Sequence, residues 1–183
     1  MSRPKQPQQY YDDIKAKFRE ARNLRLGYRP PGSDQFTSEL SGDLAKYAVD
    51  PYAADVPDRA PITDEVEVLF IGGGFSALLT SARLRERGIE GVRIVERGSD
   101  VGGTWYWNRY PGAACDVVSY DYLPLLDELD YVPVNHYSRG PEIFGHCQAI
   151  AHKYNLYDLA VFNTTVTETR WDETEALWHV KTD

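Results

Sequence analysis

Val66-Glu-Val-Leu-Phe-Ile-Gly-Gly-Gly-Phe-Ser-Ala77 is the stretch that decides the fold. Val66 to Ile71 is a short apolar, β-branched run that stops at Gly72, as a buried parallel strand does. Beyond it, Phe75, Leu78, Leu79 and Ala82 mark one face of a helix, leaving Arg83, Arg85, Glu86 and Arg87 to face solvent. Gly88 is well placed to end that helix. Val92-Arg-Ile-Val-Glu96 reads as a second strand. Strand, helix and strand within about thirty residues form a βαβ unit with a right-handed crossover. The expected fold class is therefore α/β, a Rossmann-like domain.

The turn itself, Gly72-Gly73-Gly74-Phe75-Ser76-Ala77, matches Gly-x-Gly-x-x-Gly/Ala. The first glycine allows the tight turn, the second lets backbone approach a pyrophosphate, and the third position needs a small residue where helix meets strand. The helix N-terminus then offers free N–H groups and a positive dipole end to the phosphates. Glu96 ends the second strand, 19 residues past Ala77. Its carboxylate suits a ribose 2′-hydroxyl and repels a 2′-phosphate, which predicts FAD or NAD rather than NADP at this turn. The competing reading is a glycine-rich turn in an ordinary α/β domain.

Upstream, residues 1–9 are polar, and Tyr11, Ile14, Phe18 and Ala21 predict a helix over about Tyr10–Leu24 with Asp12 and Asp13 in its first turn. Pro30-Pro31-Gly32 stops it, and residues 33–62 read as a surface arm. The expected division is 1–62 for helix and arm and 63–183 for the nucleotide-binding domain. Downstream, Pro141 opens a helix with Ile143, Phe144, Cys147, Ile150, Ala151 and Tyr154 on its apolar face. A strand is expected around Val161–Val166, then a hairpin from Thr167–Trp171 and Leu177–Thr182.

Composition bounds the function. The chain has 183 residues, a net charge of -8 and 26% charged residues. Its mean hydropathy is -0.50. That balance argues against nucleic acid or an anionic membrane as partner. Two cysteines and no apolar leader fit a reducing, cytoplasmic compartment. Eight aromatics fall between Trp105 and Tyr137, so either stacking on a planar ligand or covering a core edge accounts for them. Cys115 reads as packing rather than a nucleophile. The four histidines show no metal spacing, so no metal site is expected. Arg109 is open to two readings, a cofactor contact or a structural ion pair. A lone aspartate such as Asp116 is, by itself, usually a surface or capping residue.

Gly102-Gly-Thr-Trp-Tyr-Trp-Asn-Arg-Tyr-Pro-Gly-Ala-Ala-Cys-Asp116 resembles the flavin-cradling loop of type I Baeyer–Villiger monooxygenases, and the resemblance runs from about Val66 to Asp183. The N-terminal arm, and Gly140-Pro-Glu-Ile143 with His146-Cys-Gln148, look most like the subgroup acting on large cyclic ketones. The resemblance implies roles for residues. Gly72, Gly74, Phe75 and Ser76 would line the FAD pyrophosphate, and Glu96 the adenosine ribose. Gly103, Thr104, Trp105 and Trp107 would pack along the flavin, and Tyr122 would touch it. Val166 would meet the adenine through its backbone. Ala114 and Cys115 would lie beside the nicotinamide of NADPH, and Asp116 would be the active-site aspartate that positions an arginine. The implied activity consumes NADPH and O₂ and converts a ketone to an ester or lactone through a C4a-peroxyflavin. The family's NADPH-binding domain and that arginine are expected in sequence beyond Asp183, or in a second chain, so this chain alone is expected to be inactive. A partial FAD-binding module without turnover is the alternative, and oxidation at sulfur or nitrogen is a further one.

Overall fold

The glycine turn joins a strand to a helix, as its sequence predicts. The structure, a computed structural model, describes residues 8–27, 42, 45, 49–53 and 59–183. It separates into two units, Met1–Val49 and Asp50–Asp183.

In the first unit, helix α1 spans Gln8–Gly27 and so begins before the predicted start. Asp12 and Asp13 consequently fall in the second turn, where they accept hydrogen bonds from the side-chain amides of Gln8 (3.1 Å) and Gln9 (2.9 Å). Tyr11 and Phe18 of the predicted stripe are exposed, and Ile14 is half-buried. Most of the arm expected over 33–62 lies outside the described residues.

The second unit holds the sheet. Strand β1 (Val68–Ile71) leads through the glycine turn into α2 (Phe75–Glu86), and β2 (Val92–Val95) follows. β1 and β2 are parallel, with Val68 beside Val92 and Ile71 beside Val95. Gly88, at φ +77°, ends the α2 region, its N–H donating to the Arg85 carbonyl at 2.9 Å. The predicted α2 stripe needs one correction. Ala77, Leu78, Ser81 and Ala82 are its buried residues, whereas Leu79 is exposed. Small residues at 77, 81 and 82 set the buried face, so the helix rests there instead of on Leu79.

Three short helices occupy the aperiodic region: α3 (Thr104–Trp107), α4 (Ser119–Tyr122) and α5 (Leu126–Leu129). Helix α6 (Gly140–Lys153) has the expected proline in its first turn. Ile150, Ala151 and Cys147 of α6 join Leu78 and Ala82 of α2, Ile94 of β2, Val101, Leu125 and Leu156 in one core. His146, also on α6, is buried, and its Nε2–H donates to the Pro124 carbonyl at 2.6 Å. Burial lowers its pKa, partly opposed by that bond.

After a 3-10 turn at Tyr157–Leu159 comes β3, which is only Ala160–Val161 and pairs in parallel with Ile94 and Val95. The strand expected over Val161–Val166 is thus split. Asn163 takes a positive φ of +51°, and Val166 instead opens β4 (Val166–Asp172). β4 pairs antiparallel with β5 (Leu177–Thr182), as the hairpin pattern predicts. Residues of both units of β structure, among them Leu69, Ile71 and Val95 of the sheet and Trp171, Trp178 and Val180 of the hairpin, line one cleft.

Candidate functional site

Gly72 has φ +101°, which side chains resist, and its N–H continues the ladder to the Val95 carbonyl at 2.7 Å. Gly74 is the N-cap of α2 and supplies no side-chain cap. The N–H groups of the first helical turn therefore lack a side-chain acceptor, which is the condition for receiving a phosphate. Gly72 and Gly74 are half-buried, Phe75 is half-buried, and Ser76 is exposed.

The aromatic turn meets this one backbone to backbone. The Gly102 N–H donates to the Gly73 carbonyl at 2.9 Å. A Cβ placed on Gly103 would lie 2.9 Å from the Gly74 Cα. Thus Gly72, Gly74, Gly103 and Thr104 come together at one place. The glycines bring the two backbones into direct contact and leave the N–H groups at the start of α2 without a side-chain acceptor, the form a diphosphate-bearing cofactor needs for close approach. The residues present therefore fit FAD.

Glu96 ties the phosphate turn to the segment just after β2. It is 5% exposed. Its Oε2 accepts the Gly73 N–H at 2.5 Å and its Oε1 the Gly98 N–H at 2.6 Å. An ionised carboxylate offers about four acceptor sites, so two backbone bonds leave capacity for ribose hydroxyls. Neither backbone partner follows from the sequence pattern, which assigned Glu96 to a ribose alone.

The aromatic residues divide by role. Trp105 is buried, and its indole N–H donates to the Tyr122 hydroxyl at 2.9 Å. Phe75 also meets Tyr122 edge-on, with centroids 5.7 Å apart. Trp105, Cys115, Leu123 and Ile143 form a second core, with Phe75 and Tyr122 packed on it. Trp107 is half-buried and carries the Arg97 guanidinium 4.6 Å from its ring centre. Tyr106 is the buried pivot. Its side chain fills the space beside Gly98, where a Cβ would come within 2.6 Å of the ring. Burial, then the neighbouring Asp50 carboxylate, raises the Tyr106 phenol pKa. Of the two readings of Arg109, the ion pair is not found among the described residues. Its guanidinium stacks among Tyr52, Tyr106 and Phe144.

Ala114 and Asp116 are exposed and Cys115 is buried. Backbone bonds hold this strip, from the Cys115 N–H to Ser138 O (3.0 Å) and from the Gly140 N–H to Ala113 O (2.7 Å). The Cys115 thiol donates to Val117 O at 3.1 Å. Among the described residues, no cation pairs with Asp116. Val166 lies two residues past Thr164, whose N–H donates to Glu96 O at 3.0 Å, so the chain near Val166 returns to Glu96.

Two features escaped the sequence reading. Asp100 gathers the Tyr157 hydroxyl and the Gln148 amide, each at 2.8 Å. On the hairpin, Asp172, Glu175 and His179 each bring one ligand-type atom within 4.8 Å of the others. Arg170 already lies 3.2 Å from Asp172 Oδ2, and Lys181 pairs with Glu168 at 2.9 Å. The first pair runs along β4 and the second crosses from β5 to β4, and the crossing pair is one that the strand register, unlike residue spacing, would have revealed.

Residues 71–128 match the family model of the NAD(P)-binding Rossmann-like domain. Over 171 residues the chain is 50% identical to pentalenolactone D synthase of Streptomyces arenae, covering 93% of this chain and 28% of that one. A Baeyer–Villiger monooxygenase of Streptomyces coelicolor is 44% identical over 170 residues, with the same coverage. Among solved structures, the polycyclic ketone monooxygenase of Thermothelomyces thermophila superposes with a TM-score of 0.76 at 31% identity, over 93% of this chain and 29% of that one. The OTEMO complex with FAD and NADP superposes with a TM-score of 0.61 at 30% identity, over 67% and 24%. The chain spans a little over a quarter of the length of the curated relatives it matches. Within that span, and by both sequence and fold, it is similar to the N-terminal part of the Baeyer–Villiger monooxygenases.

Proposed function

We propose that this chain is the FAD-binding part of an NADPH- and O₂-dependent Baeyer–Villiger monooxygenase, one that converts ketones, cyclic ones first, to esters or lactones. The observation that carries the reading is the Gly74–Gly103 contact, which joins the phosphate turn to the aromatic turn, with Glu96 bonded to Gly73 of the first and to Gly98 ahead of the second. In this reading Gly72, Gly74, Phe75 and Ser76 hold the pyrophosphate, with the α2 N-terminus supplying donors. Glu96 orients the adenosine ribose, and the chain near Val166 borders the adenine. Gly103, Thr104, Trp105, Trp107 and Tyr122 shape the flavin side and exclude water there. Bound flavin supplies the redox chemistry between nicotinamide and oxygen. Ala114, Cys115 and Asp116 border the nicotinamide. The Asp116 carboxylate holds a cationic side chain beside the reacting centre through a charge-assisted bond.

The test is spectroscopic. Purified chain should take up FAD with yellow absorbance and quenched flavin fluorescence. NADPH oxidation in the presence of a cyclic ketone should require sequence beyond this chain. Flavin bound without NADPH oxidation supports the FAD-binding assignment and places turnover in the longer protein. Turnover by this chain alone, or no flavin uptake at all, contradicts it. A sulfide or amine oxidised in preference to ketones moves the substrate class.

A further inference from the structure

The outer side of the aromatic turn is fastened by residues that precede the sheet. The Tyr106 hydroxyl donates to Asp50 Oδ2 at 2.5 Å, and the Ser99 N–H donates to the same hydroxyl at 3.0 Å. Asp50 Oδ1 accepts the Tyr52 N–H at 2.9 Å, so one carboxylate binds its own segment and the turn together. The Tyr52 ring meets Tyr106 edge-on, centroids 5.9 Å apart and planes at 83°. Arg109 closes the arrangement. Its guanidinium lies 4.1 Å from the centre of Tyr52, 4.6 Å from Tyr106 and 4.5 Å from Phe144. Its Nε–H donates to the Tyr106 carbonyl at 2.8 Å. Hydrogen bonds to a charged acceptor and cations over aromatic faces are among the stronger weak interactions, the more so when partly desolvated.

The turn needs such support. Helix α3 has four residues, far below the length at which a helix holds itself. It is entered through Gly102 at φ +121° and Gly103 at φ +53°. Glycine leaves those positions free to choose other conformations. The inner contact with Gly74 is backbone against backbone and has no side chain to lock it.

We propose that Asp50 and Tyr52 are positioning residues, which act through Tyr106 and Arg109 to hold Gly103 against Gly74 and thereby set the affinity of the turn for flavin. The second half of this statement rests on the FAD reading above. The segment ahead of the sheet is, on this view, a structural part of the cofactor loop.

Amide hydrogen exchange and FAD titration on the whole chain test it, using Asp50→Ala, Asp50→Asn and Tyr52→Ala. The amides of Trp105, Tyr106, Trp107 and Asn108, which bond to Gly102, Gly103 and Thr104 carbonyls, should exchange about fivefold faster in Asp50→Ala and Tyr52→Ala, the size of one lost hydrogen bond. Amides of Val68–Ile71 and Val92–Val95 should not change, and FAD affinity should fall by a similar factor. Asp50→Asn keeps its oxygen for the Tyr52 N–H and turns its NH₂ to the Tyr106 hydroxyl, which can accept in place of donating, so it should stay within about twofold of the native chain. Unchanged exchange at 105–108, or an equal rise across both strands, overturns the positioning role. Faster exchange with native FAD affinity overturns its link to flavin. If the native chain takes up no FAD, the functional reading fails, and the exchange pattern alone decides the positioning.

Discussion

Gly103 approaches Gly74 so closely that a single added carbon would lie 2.9 Å from the Gly74 Cα. Its φ of +53° with ψ -118° is also closed to ordinary side chains. Gly103→Ala should therefore cost about 1–3 kcal/mol from backbone strain alone, with the steric term added. The measurement is urea unfolding alongside FAD titration. Stability and affinity should drop together, because the same contact serves both. A Gly103→Ala chain with native values in both assays would show that the two loops separate freely.

Glu96 gives a second prediction. Both of its oxygens accept backbone N–H groups. Glu96→Gln has nearly the same shape, but its NH₂ must face either Gly73 N–H or Gly98 N–H, donor against donor. A buried unpaired donor costs about 1–3 kcal/mol. The variant should lose that much stability with no ligand present. If only FAD binding suffers, the backbone bonds are dispensable and the carboxylate acts on the ribose alone.

His146 predicts a pH dependence. Burial lowers its pKa below the ordinary 6.5, so the folded state prefers the neutral ring. As pH falls, the unfolded chain takes up the proton first. Stability from this group is thus complete above about pH 6.5 and declines as pH drops toward the lowered folded value. Denaturation at pH 7.5 and 5.5 should show this loss, and His146→Gln should flatten it. A native chain more stable at the lower pH would contradict the sign.

The thiols give a fourth. Cys115 and Cys147 are both buried. Burial also pushes the Cys147 thiol up to about 12, so its thiolate is scarce at neutral pH. A thiol reagent should label neither residue quickly in the folded chain and both in denaturant. Rapid labelling of Cys147 in the native state would mean that the α2–α6 core opens readily.

Much of the fold was written in local pattern. The strand before Gly72, the proline-led α6 and the hairpin all follow from periodicity and turn residues. Leu79 misled because helix orientation depends on which neighbours are small, and Ala77, Ser81 and Ala82 settle that question only in three dimensions. Within the site, the glycines and Glu96 were legible because their spacing is fixed by one βαβ unit. The Asp50–Tyr106 bond was not, since its partners are 56 residues apart and nothing periodic links them. Arg109 shows the same limit. A cation in sequence suggests an anion, but three aromatic rings from three separate segments received it. The question of whether the aromatics stack on a ligand or cover a core also divides by residue, with Tyr106 buried and Trp107 half open.

The strand order β1-β2-β3 leaves β1 with a neighbour on one side only, among the described residues. Its last residue, Ile71, is 63% exposed and abuts Gly72. A row of free backbone donors and acceptors is a template for another strand. Here that template and the phosphate turn are consecutive in the chain. Whatever strand is added along β1, from a longer chain or a second copy, ends beside the glycines. The open edge of β1 and the turn proposed to hold the phosphates therefore adjoin on this molecule.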